Sequence, residues 1–209
     1  MTAMTIVLPH RRNEKNDQAL RIALEMIYSN TVNDFILISD AATDQPLYER
    51  VNRMVDQATT DTVVYMCSDI FPAPGWDVPM LALVNYQTFV TGVVAEPGIM
   101  GMHPDNVDRD FGRRPETFRR AAFEEWAEQG QFPTGVGFPA PLMFSRSRWQ
   151  DLGGLQTAGL SGDGQGFYPA DLALLDAHTA CGWWVKRARS YFYHLQRYSE
   201  PAEQTKEGR

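Results

Sequence analysis

Apolar and polar residues are grouped along this chain in blocks whose lengths separate strands from helices. Residues 5–8 (Thr-Ile-Val-Leu) form a short apolar run stopped by Pro9, the length of a buried strand. Leu20, Ala23, Leu24 and Ile27 then recur at helical spacing, which predicts an amphipathic helix over about 17–29. Phe35 to Ile38 is a second apolar run, and Leu47, Val51, Met54, Val55 and Ala58 mark a second helix. Val63 to Met66 is the third strand. Strand, helix, strand, helix, strand at these intervals implies βαβ units and a parallel sheet.

The pattern continues less regularly. It predicts a helix over about 77–86 and a strand over 88–96, "TFVTGVVAE". Residues 97–113, rich in Gly, Pro and Asp, read as a long loop. Pro115 opens a helix that runs to about Gln129, with Gly130 past its end. Residues 135–145 read as strand or loop, and "SRSRWQDLGG" as a short helix closed by glycine. A Gly-rich loop (159–166) leads into a helix at about 170–181. "WWVKRARSYFYHL" has strand character, and 196–209 is a polar tail. The predicted fold is α/β: a single domain built on a Rossmann-like, mostly parallel sheet flanked by helices.

Composition narrows the class. With 209 residues, 44% hydrophobic and 22% charged, the chain has enough material for a sizeable core. A net charge of −7 argues against general attraction to nucleic acid. The two cysteines, Cys67 and Cys181, give neither a disulfide framework nor a metal-type spacing. No apolar run is long enough to span a bilayer, and "MTAMTIVLPHRR" has too short an apolar stretch for a signal peptide. A soluble, cytoplasmic protein is the expectation.

Candidate chemistry gathers where three strands end in polar residues: Pro9-His10-Arg11-Arg12, Ser39-Asp40 and Ser68-Asp69. In a parallel sheet these ends share one edge, where open α/β folds bind ligands. Carboxylates there suit a base, ribose or metal, and arginines suit phosphate. No glycine-rich phosphate fingerprint follows the first strand, which disfavours a dinucleotide or P-loop site.

In order and spacing, these elements resemble the family-two glycosyltransferases of the GT-A fold. "TIVLPHRRN" is similar to their opening strand, and "LISDAATD" to their "VVDDGSTD" segment, placing Asp40 on an aspartate that helps hold the nucleotide base. "VVYMCSDIFPAPGW" resembles the strand that ends in their metal-binding Asp-X-Asp. Here Cys67 replaces the first aspartate and Asp69 keeps the second position. "WQDLGGL" resembles an element beneath the acceptor site, "ADLALLDAHTACGWWV" aligns without gaps on the helix carrying the catalytic carboxylate, and "YFYHL" matches the closing metal-binding histidine.

The resemblance implies a nucleotide-binding half over about 1–95, an acceptor-side half over about 96–195, and a transfer of sugar from a nucleotide-diphosphate donor, UDP-linked, with Mn²⁺ or Mg²⁺. It implies Asp171 as the catalytic base and Asp69 and His194 as metal ligands. Pro9, His10, Arg11, Arg12, Asp40 and Ser68 would contact the nucleotide, and Arg197, Asp163 and Trp149 the phosphates or acceptor. A second register would put Pro169 at the base position and leave Asp171 structural. A base on the acceptor side is the arrangement of an inverting enzyme. A retaining transferase or nucleotidyltransferase, and a degenerate domain that binds without turnover, stay open. The acceptor (glycan, protein, small molecule or hydroxylated DNA base) is not encoded legibly, and a homo-oligomer would help so short a chain complete its site.

Overall fold

The computed structural model describes residues 3–10, 14–41, 46–98, 105–130, 132–133, 135, 137, 140–156 and 168–195, without the side chains of 14, 15 and 168–172. The first apolar run is strand β1 (Met4–Pro9), and the first periodic segment is helix α1 (Glu14–Asn30). Strand β2 (Phe35–Asp40), helix α2 (Leu47–Gln57) and strand β3 (Thr62–Tyr65) follow. β1 lies between β2 and β3, parallel to both, and every residue of it is buried. A strand covered on both faces has no polar side to show, which is why its sequence does not alternate. β2 ends the sheet and is half exposed.

The remaining elements are β4 (Ile70–Pro72), α3 (Asp77–Leu81), β5 (Thr88–Glu96), β6 (Val107–Asp108), α4 (Arg120–Glu128), β7 (Leu142–Ser145), α5 (Arg146–Asp151), α6 (Tyr168–Ala180) and β8 (Trp184–His194). The sheet runs β2-β1-β3-β7-β5-β8-β4, with β6 added alongside β5. β5 is parallel to β8 and β6, whereas β7 is antiparallel to β3 and β5, and β4 is antiparallel to β8. The predicted α/β sheet with flanking helices is therefore present.

Three local expectations needed correction. The helix placed at 77–86 stops at Leu81, because the Asn85 side chain accepts from the Gln87 amide at 2.9 Å and turns the chain into β5. The helix expected from Pro115 divides into a 3₁₀ turn (Pro115–Thr117) and α4, separated by extended Phe118. Phe118 stacks on Tyr193 and touches Phe71, with centroids 5.3 and 4.8 Å away, and that aromatic packing overrides helix continuity. Strand β4 has no counterpart in the sequence reading, and β6 lies within the stretch read as loop.

Two apolar clusters cover the sheet. The larger joins Ile6, Val64, Phe89, Phe144 and Phe192 to α2, α5 and α6 through Val51, Trp149 and Leu174. The second joins Phe71, Val93 and Tyr193 to α1 and α4 through Ala23, Met26 and Phe123. Val93, Val94 and Ala95 of β5 and Tyr191, Phe192 and Tyr193 of β8 alternate between the two clusters.

Candidate active site

The parallel register places the first three strand ends side by side. Pro9 is paired with Asp40, and the His10 amide donates to the Asp40 carbonyl at 2.9 Å. The Met66 amide donates to the Val7 carbonyl at 3.1 Å, carrying the chain from β3 toward Ser68 at the same edge. His10 is 3% exposed, with Nε2 2.6 Å from Asp17 Oδ1 and Nδ1 3.5 Å from Ser68 Oγ. One imidazole thus ties the end of β1 to α1 and to the loop after β3.

Asp40 is held from beneath. The buried Arg50 of α2 donates through Nη2 to the carbonyls of His10 (2.7 Å) and Asp40, clamping two strand ends with one guanidinium. Arg53, one turn later, binds the Asp40 carboxylate. The rim beside β1 and β2 is therefore a fixed polar frame.

On the other side of β3, Asp69 and His194 come together, although 125 positions separate them in sequence. Strand β4 does this. Ile70 pairs with His194, and the Leu195 amide donates to the Asp69 carbonyl at 3.0 Å. His194 Nε2 lies 3.8 Å from Asp69 Oδ2. On its opposite side, Nδ1 is 3.0 Å from Oε2 of Glu96, the last residue of β5, which is itself 3% exposed. Glu96 Oε1 accepts from Asn106 Nδ2 at 3.0 Å. Burial by itself would lower the imidazole's pKa, but the hydrogen bond to Glu96 and the charges of Asp69 and Glu96 outweigh it and hold the ring above the ordinary histidine value.

This donor set suits a divalent cation of the Mn²⁺ or Mg²⁺ type. One carboxylate and one imidazole face each other across a gap longer than a hydrogen bond. Two carboxylates beside a diphosphate would repel it unless a dication offset them. Among the described residues no group of three or more His, Cys, Asp or Glu side chains is placed to hold a metal ion; Asp69 and His194 are the facing pair that could contribute to one. Cys67, at the position the resemblance gives to aspartate, has its thiol 3.1 Å from the Tyr65 hydroxyl, and a thiol is a poor partner for hard cations.

Other expected site residues fall elsewhere. Arg11, Arg12, Asp163 and Arg197 lie outside the described residues, as does the side chain of Asp171, whose backbone belongs to the first turn of α6. Trp149 is 2% exposed, stacks on Phe144 with centroids 4.4 Å apart and donates to Asn52. It is a core residue with no face open to an acceptor. Glu96, Asn106 and Arg50 went unnoticed in the sequence. A carboxylate ending an apolar strand was available as a signal for Glu96, by the same logic that singled out Asp69.

No protein-family model matches the sequence, and no curated protein matches it. Among solved structures, GalNAc-T7 with UDP, GalNAc and Mn²⁺ superimposes with a TM-score of 0.59 at 10% identity, covering 91% of this chain and 43% of that one. This chain thus spans less than half the length of that protein. A glycosyltransferase involved in glycosylation of the major capsid of PBCV-1 is 17% identical over 50% of this chain and 56% of its own, at a TM-score of 0.31, too loose to weigh. At 10% identity the first likeness is one of architecture: this chain has a GT-A-type α/β fold.

Proposed function

We propose that this chain transfers a sugar from a nucleotide-diphosphate donor, UDP-linked, to an acceptor hydroxyl, with inversion and dependence on a divalent cation. The observation that carries the reading is the meeting of Asp69 and His194, 3.8 Å apart, at the sheet edge that also presents Pro9, His10 and Asp40. The GT-A-type fold, shared with a structure that holds UDP and Mn²⁺, supports it.

The roles follow from chemistry. Pro9, His10, Asp40 and Ser68 border the nucleoside, and Arg11, Arg12 and Arg197 are assigned to the phosphates. Asp69 and His194 hold the cation, which when bound neutralises charge on the departing diphosphate. Asp171 takes the proton of the acceptor hydroxyl as its oxygen attacks the anomeric carbon. The bond from that carbon to the diphosphate breaks in the same displacement, and its electron pair leaves with the diphosphate. Asp163 is assigned to the acceptor side.

The test is a panel of sugar nucleotides with Mn²⁺, read by release of UDP or GDP. At least one donor is expected to turn over, and Asp171→Asn is expected to lower kcat by about a hundred- to ten-thousand-fold while UDP still binds. Unchanged turnover in that variant removes Asp171 from the mechanism. The exchange of a carboxylate for Cys67 keeps a second reading, a domain that binds nucleotide without transfer. Calorimetric binding of UDP with no release from any donor would select it.

A further inference from the structure

We propose that Glu96 is a positioning residue for His194, fixing the ring tautomer that leaves Nε2 able to ligate a cation, with Asn106 holding Glu96 in turn. The inference rests on the reading that Asp69 and His194 bind a divalent ion.

Glu96 ends β5 at 3% exposure. A carboxylate so placed is costly unless its oxygens are bonded, and here both are. Oε1 accepts from Asn106 and Oε2 faces His194 Nδ1, each at 3.0 Å. Asn106 is 7% exposed and lies immediately before β6, whose pairing of Asp108 with Glu96 fixes its position. A carboxylate only accepts hydrogen bonds, so Nδ1 carries the ring proton and the lone pair of the neutral ring sits on Nε2. Nε2 is the nitrogen aimed at Asp69. Two ligands each about 2.1 Å from one ion lie at most about 4.2 Å apart, and the 3.8 Å separation falls within that limit. Glu96 stands across the ring from this gap, which makes it a support and not a ligand.

Glu96→Gln separates positioning from mere filling of space. Its amide oxygen can still accept from Asn106, which turns the NH₂ group toward Nδ1. Nδ1 must then accept, and the ring proton moves to Nε2, where it blocks the cation. We would titrate Mn²⁺ into the full chain, with and without UDP, counting free ion by electron paramagnetic resonance. The ring tautomer would be read from ¹⁵N shifts of the metal-free protein. Glu96→Gln is expected to weaken Mn²⁺ binding ten- to a hundredfold and to switch the tautomer, at an unfolding midpoint close to wild type. Asn106→Ala is expected to weaken binding less. In a His194→Ala background, Glu96→Gln should add no further loss. Equal Mn²⁺ affinity in wild type and Glu96→Gln overturns the assignment of Glu96 and leaves the metal reading intact. No Mn²⁺ binding by wild type, even with UDP, overturns both.

Discussion

Two arginines reach Asp40, and they differ in what each would cost to remove. Arg50 is 3% exposed and satisfies the carbonyls of His10 and Asp40, whereas the Arg53 side chain is 43% exposed. Truncating this buried charged donor removes the bond to the His10 carbonyl and leaves the Asp40 carbonyl with the His10 amide alone, so Arg50→Ala should lower stability by about 2–4 kcal/mol. An exposed pair is screened and entropically expensive, so Arg53→Ala should cost under about 1 kcal/mol. Urea unfolding of both variants checks this, and equal losses would mean that Arg50 is not the clamp described. Asp77 makes a related point. It is fully buried and accepts from the amides of Val32 and Asn33 and from the Asn33 side chain. An aspartate in a Pro- and Gly-rich stretch is thus the pin for the turn after α1, a role invisible without its distant partners.

The β5–β8 pair shows how an element's sequence answers to its neighbour. Register shifts between Thr91 and Val93, and a Cβ on Gly92 would sit 2.3 Å from Phe192 Cε2 and 2.8 Å from the Ser190 carbonyl. Backbone cannot move aside as a flexible side chain can. Gly92→Ala should therefore destabilise by about 1–3 kcal/mol, and a thermal midpoint equal to wild type would refute the close approach. At the other end of β8, His178 of α6 is buried between the stacked Phe89 ring (3.9 Å) and Arg148, with Nε2 donating to the Trp184 carbonyl at 3.0 Å. Burial, with Arg148 adding to it, lowers the imidazole's pKa. Above pH 6.5 the ring is neutral folded or unfolded and costs nothing. As pH falls below that value the unfolded chain takes up the proton first, so stability is lost down to the folded pKa. His178→Gln should show a shallower loss between pH 7 and 5 in urea midpoints, and an identical slope would reject this account.

For the whole molecule, the test is whether nucleotide and metal act together. A ligand at a hundred times its Kd adds about 2.7 kcal/mol, which for a chain of this size raises Tm by about 5–10 °C. UDP with Mn²⁺ should produce that shift, UDP with a chelator should not, and His194→Ala should abolish the Mn²⁺-dependent part. A full shift from UDP with chelator present would exclude a cation bridge. No described helix is long and apolar enough to cross a membrane.

The βαβ opening is legible in one dimension, because short apolar runs such as Ile6–Leu8 and the spacing of Val51, Met54 and Val55 record burial directly. The sequence also marked Asp69, since a polar residue closing an apolar strand is visible in one dimension, whereas His194 was marked only by the resemblance of "YFYHL" to the family's closing segment. Tertiary structure alone decided that those two meet, through three residues of β4 too short and too proline-bound to announce themselves. It alone turned Glu96 from a strand's last residue into the partner of His194, and Trp149 from a possible contact into core. Periodicity reports whether a side chain is buried. Which distant residue it is buried against depends on strand order and register, and those are fixed only when the sheet closes on its neighbours.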